Sequence, residues 1–195
     1  MRTGELRVLA LVVPGLVIVE ALTRPALIAW STLDLDSYSS VILAAAQTYD
    51  RAIIGFYILT TVIFARWIYV AGRNLATVGA EDLQFTPASR IWWFAVPFAN
   101  FVMPFRGMRE LWNASHGETD RQANHWVVVC WWVLWLGNGV ASYLAGRFGE
   151  QSDLVVIIES LIGLALAGIA ITLVRRISEA QIRLSTSPDL VEIFA

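Results

Sequence analysis

Three ionisable side chains, Glu20, Arg24 and Glu159, stand in runs that are otherwise apolar. In a hydrocarbon medium such groups make proton relays, ion paths or polar locks between helices. Glu20 and Arg24 are one helical turn apart on one face. Arg24 and Glu159 each lie six residues from the end of their run, about 9 Å along a helix. If the two runs are antiparallel neighbours, the opposite charges sit at one depth and can form an interhelical ion pair. The competing reading lets Pro25 end the first helix early, so that Arg24 snorkels to the headgroups. A second group, His116, Glu118, Asp120 and His125 in "HGETDRQANH", has metal-ligand chemistry. Its spacing matches no established metal site, and a solvated loop is expected there. No G-x-S-x-G, H-E-x-x-H or phosphate-cradling glycine loop occurs, and no nucleophile–base pair emerges, so neither a cofactor nor an enzyme is expected.

The elements that must position these residues follow from composition. Of 195 residues, 57% are hydrophobic and 15% charged, and mean hydropathy is +0.60. A soluble domain is about 45–50% apolar and about 25% charged, so lipid is the expected solvent. One membrane domain over residues 1–195 is expected. Four stretches reach the ~20 residues a span requires: 8–30, 52–71, 126–146 and 154–174. Arg2 and Arg7 precede the first as they would in a signal peptide. Glu20, Arg24 and the lack of a small-residue cleavage site favour a retained helix. The single Cys130 lies in "VVVCWWVLW" and is expected to be buried. Trp126 suits an interface, and Trp131, Trp132 and Trp135 suit packing. After the last span, "RRISEAQIRLSTSP" reads as an amphipathic tail.

The connection 72–125 contains "IWWFAVPFANFVMPF", Ile91 to Phe105, uncharged but interrupted by Pro97 and Pro104. As a helix it reaches about 22 Å, short of the ~30 Å hydrocarbon core. All 14 basic residues are arginines. With four spans and an inner N-terminus, eleven lie inside and two outside, with Arg24 in span one. A fifth span at 91–105 would leave six against seven and abolish the bias. The segment is therefore expected to be re-entrant or interfacial, with Asn100 hydrogen-bonded to its irregular turn. Beyond it, Phe105, Met108 and Trp112 recur at helical spacing, with Arg106, Arg109, Glu110 and Asn113 largely on other faces. An amphipathic helix at the inner interface is expected, with Pro104 at its first turn and an Arg106–Glu110 pair.

The run Arg66 to Ser115 resembles the bacterial membrane family known as domain of unknown function 4328. The resemblance rests on Arg66-Trp67, Asn74, Gly79, Phe85-Thr86-Pro87, Trp92-Trp93-Phe94, Pro97, Asn100, Pro104, Met108-Arg109-Glu110 and Trp112. It implies a bacterial membrane protein and carries no activity with it; the hydropathy and the arginine count lead to an all-α inner-membrane protein with both termini cytoplasmic. Met103 stands where the family commonly has a basic residue, and Phe105 where it often has tyrosine. The Asn113-Ala114-Ser115 acceptor would be idle on a bacterial inner face. The function expected is a non-catalytic scaffold, sensor or regulatory module; the alternative is a small transporter or lipid-handling protein using the broken segment and intramembrane charges. Partners expected are membrane lipid and a membrane protein or second copy, with no nucleic acid; for the inner arginines, setting topology is favoured over binding anionic headgroups at the inner face.

Overall fold

A computed structural model describes residues 2–80, 83–148 and 152–186, with Leu43 described by its backbone alone. Four long helices dominate: α1 (Thr3–Leu33), α3 (Ala46–Thr77), α6 (Trp126–Phe148) and α7 (Asp153–Thr186). Each is long and apolar enough to cross a membrane. The short α2 (Leu35–Tyr38) and a π turn (Ser39–Leu43) join α1 to α3. Between α3 and α6 come α4 (Ser89–Trp92), two 3-10 turns (Trp93–Ala95 and Ala99–Phe101) and α5 (Met103–Ser115). Helix α1 lies between α3 and α7, α7 pairs with α6, and α5 packs across one end against α3, α6 and α7.

All four spans outrun the stretches expected from hydropathy. Pro25 does not end α1, which continues to Leu33 through Pro14 and Pro25. Helix α3 carries on from the expected span through Arg73 to Thr77. The tail after Val174 is no separate element but the continuation of α7 to Thr186. Hydropathy ends where lipid ends, whereas a helix ends where its backbone is capped. At α3 the cap is Gly79, at φ 69°. Ala80 N–H donates to Leu75 O at 3.2 Å and Gly79 N–H to Ala76 O at 3.4 Å, the two bonds of a Schellman motif. Gly117, at φ 72°, closes α5 the same way through Glu118 N–H to Asn113 O at 2.9 Å.

At about 1.5 Å per residue, α1, α3 and α7 reach some 46–51 Å, well beyond the hydrocarbon thickness. At one end of the bundle the N-terminus of α1 meets the C-termini of α3 and α7 and the start of α6. We call it the α5 end. The core is concentrated there: Leu6, Trp67, Leu75, Leu111, Val127, Leu173 and Ile177 are fully buried. Elsewhere the helices turn apolar side chains outward, as at Leu11, Tyr57, Val133, Val140 and Leu161. Cys130 is exposed on this outer surface rather than buried. Ala141, Ala145, Ala167 and Ala170 line the close approach of α6 and α7, as small residues do where helices pack without a hydrophobic drive. Thr23, Thr60 and Thr172 return their hydroxyls to the carbonyl one turn back, so no donor is left to lipid there.

Candidate functional site

The family-like residues converge at the α5 end around a buried ion pair. Just before α4, Thr86 Oγ1 accepts from Ser89 N–H at 3.0 Å, one residue ahead of Arg90. Arg90 and Glu110 are 3% and 4% exposed. Arg90 Nη2 donates to Glu110 Oε1 at 2.5 Å, Nη1 to Phe85 O at 2.8 Å and Nε to Gly107 O at 3.3 Å. Glu110 also accepts Gln84 N–H on Oε2 at 2.7 Å and Phe85 N–H on Oε1 at 3.2 Å. Burial pulls the Arg90 pKa down from its ordinary value, and the Glu110 carboxylate opposes the shift. The close fit extends to Gly72, where a β-carbon would lie 3.0 Å from Arg90 Nη1 and 3.3 Å from Pro87 Cα. Glu110 therefore pairs with Arg90, not with Arg106, which is exposed. The expected one-turn pair loses because the loop at 84–90 folds over α5 and offers Glu110 a buried cation and two amides.

A second buried network ties four elements together. Gln181, wholly buried on α7, donates from Nε2 to Ala71 O at 3.1 Å and to Ser115 Oγ at 2.9 Å. Its Oε1 accepts from Asn74 Nδ2 at 3.3 Å. Asn74 Oδ1 in turn accepts the Arg2 N–H at 2.7 Å, and Ser115 Oγ donates to Leu111 O at 2.7 Å. One turn along, Trp67 Nε1 donates to Ser178 Oγ at 3.0 Å. Beside this network Arg66 meets Glu5 through Nε at 2.8 Å. Ser115, Ser178 and Gln181 escaped the sequence reading. Val174, Ile177, Ser178 and Gln181 recur at helical spacing, so the inward face was legible once the tail was taken as helix.

Helix α5 is mostly buried, including Glu110 and Asn113, which hold loops instead of facing water. Asn113 Nδ2 donates to Arg121 O at 3.0 Å and Ala123 O at 2.8 Å, folding the 116–125 loop back over the helix. Arg109 Nη1 donates to Asn124 Oδ1 at 2.9 Å. His116 and His125 stack on the Trp112 indole, centroids 4.3 and 4.4 Å away, and His125 Nδ1 accepts Val127 N–H at 3.3 Å at the start of α6. Burial first, then His116 and Arg176, hold the His125 pKa below its ordinary value, against Glu118. Among the described residues no group of three or more His, Cys, Asp or Glu side chains gathers to hold a metal.

Residues 91–105 form a broken hairpin. Arg90 before it and Gly107 and Glu110 after it are in contact, so the chain leaves and returns to one place. Pro97 and Phe98 make the tip, with Phe98 at φ 63° and its side chain 87% exposed. Trp92 is exposed, whereas Phe94 and Phe105 pack edgewise or tilted against Trp135 and Trp132 of α6; Trp93, half-buried, belongs to the first 3-10 turn. Pro104 opens α5 as expected. The Asn100 side chain does not bond to the turn: its Oδ1 is buried without a partner, and the turn is closed by backbone, Asn100 N–H to Val96 O at 2.9 Å.

Away from this end, Arg24 and Glu159 do meet as an ion pair. Ser142 Oγ on α6 donates to Glu159 Oε1 at 2.8 Å, extending the lock to a third helix. Glu20 points instead toward Thr60 of α3. Sequence reasoning missed Ser142, one more hydroxyl in a long apolar run.

Four apolar spans with lipid-like flanks and a polar, capped end define a multi-pass α-helical membrane protein. The chain belongs to the family described as Domain of unknown function (DUF4328), whose model matches residues 36–179. That match takes in every described element from α3 to α6 and most of α7, and leaves α1 outside. No curated protein and no solved structure matches the chain.

Proposed function

We propose that this protein is a non-catalytic scaffold, sensor or regulatory module of the bacterial inner membrane. The observation that carries the reading is the closure of the two buried networks of the α5 end on themselves. Arg90, Glu110, Asn74, Gln181, Ser115 and Asn113 spend their hydrogen-bonding capacity on holding loops and helices together. Arg24 and Glu159 likewise close an ion pair between two helices. Groups committed in this way are poor proton carriers and poor nucleophile activators.

The α5 end faces the cytoplasm in this proposal, with both termini. Eleven of fourteen arginines belong to this end, Arg51 and Arg147 to the other, which follows the positive-inside rule. The hairpin tip then dips into the inner leaflet with Val96, Phe98, Phe101 and Val102, all exposed and apolar. Reporter fusions at Ser39, His116 and the C-terminus should read outside, inside and inside. The module reading itself is tested by photo-crosslinking from Leu161 and Val133 in native membranes, where one recurrent protein partner or a second copy is expected. Reconstituted flux or lipid scrambling by the purified protein would replace it with the transporter alternative.

A further inference from the structure

Three arginines surround one cleft, and among the described residues none of them is ion-paired to a carboxylate. The cleft opens between the loop at 84–85, one face of α5 and the turn at 121–122. It encloses about 150 Å³, the room of about five waters at ~30 Å³ each. Arg106, Arg109 and Arg121 line it with Gln84, Gln122 and Glu110. Glu110 cannot neutralise them, because Oε1 is taken by Arg90 and Phe85 N–H and Oε2 by Gln84 N–H. Arg106 forms no ion pair among the described residues. Arg121 donates to the neutral Glu118 carbonyl. Arg109 donates to a neutral amide at Asn124 and lies over the Phe105 ring at 5.4 Å, while its Nε–H is buried with no partner.

Gathering three like charges is unfavourable unless something of opposite sign shares the site. A buried guanidinium N–H without an acceptor adds a second cost. Elsewhere at this end Arg90 pairs with Glu110, and Arg2 and Arg66 with Glu5. Arg106 and Arg109 are three residues apart on one helical face, and Arg121 approaches across the turn. Guanidinium forks match the oxygens of a phosphate group two at a time. We propose that this cleft binds a phosphate-class oxyanion, either the headgroup of an anionic lipid or a soluble phosphate. The proposal goes beyond the module reading and stands without it.

The test uses the full-length protein in nanodiscs. In phosphatidylcholine discs, the melting temperature is followed as inorganic phosphate is added; in a parallel series phosphatidylglycerol replaces part of the phosphatidylcholine. A rise with phosphatidylglycerol alone assigns the site to a headgroup, and a rise with inorganic phosphate assigns it to soluble phosphate. Arg106→Gln, Arg109→Gln and Arg121→Gln should each raise the titration midpoint about fivefold, the weight of one basic side chain near an anionic surface. Gln122→Glu sets a competing carboxylate at the exposed rim without deleting a contact. It should weaken binding too, and keeps the test decisive if an arginine variant does not fold. Arg51→Gln, at the opposite end, should titrate as the parent does. Failure of both ligands to raise the melting temperature overturns the proposal. So does an unchanged midpoint in the arginine variants and Gln122→Glu, which would make the effect general surface charge.

Discussion

Arg90 and Glu110 carry the largest single consequence at the scale of one residue. Glu110→Ala leaves a buried guanidinium and two loop amides without their acceptor. A loss of about 3–5 kcal/mol is expected, the usual result of stripping one partner from a buried pair. Unfolding in a mild detergent would measure it, and a loss near that of an exposed pair would mean the pair is solvated. Arg90→Lys should recover little, because one ammonium cannot reach Phe85 O, Gly107 O and Glu110 together. His125 gives the pH dependence. Its folded pKa lies below the ordinary value, burial being the main cause, so the unfolded chain binds the proton more readily. Stability should be complete above the unfolded value of about 6.5 and lost as pH falls through the folded value. Melting curves across that range should flatten in His125→Asn; an equally steep curve would assign the loss to another group.

Elements behave here as their ends and contacts dictate. The hairpin at 91–105 is closed by backbone bonds and by the Arg90 clasp, while Asn100 offers a buried oxygen to nothing. Asn100→Leu is therefore expected to be neutral or stabilising, since replacing an unsatisfied group by an apolar one removes a desolvation cost. A loss of more than about 1 kcal/mol would mean Asn100 has an acceptor or donor role in the membrane. Helices α1 and α7 are joined at depth by Arg24 and Glu159. A double-mutant cycle of Arg24→Ala and Glu159→Ala should give a coupling of about 0.5–3 kcal/mol. Additive losses would leave Arg24, half-exposed, as a group that only snorkels.

The whole molecule is a bundle fastened at one end, and Gln181 is where the fastening crosses most elements. Gln181→Leu should strand Asn74 Nδ2 and take one donor each from Ala71 O and from Ser115 Oγ, which keeps its bond to Leu111 O. A stranded group costs about 1–3 kcal/mol, so the α5 end should open first, seen as faster amide exchange in α5 and in α7 beyond Leu173. Exchange confined to residue 181 and its neighbours would reduce the network to a local contact. The class of fold, the four spans and the place of the break at Pro97 were legible in the sequence, because hydropathy and proline act through near neighbours. The matching depth of Arg24 and Glu159 was legible too, since helical rise converts residue counts to distance. The true helix ends were not, because Gly79 caps a helix only where the chain can complete both backbone bonds. Arg90 as the partner of Glu110, Gln181 as the hub and the three-arginine cleft depended on the tertiary structure. Each joins segments 12 or more positions apart across a turn or another helix, and no local period records which distant acceptor a buried side chain will reach.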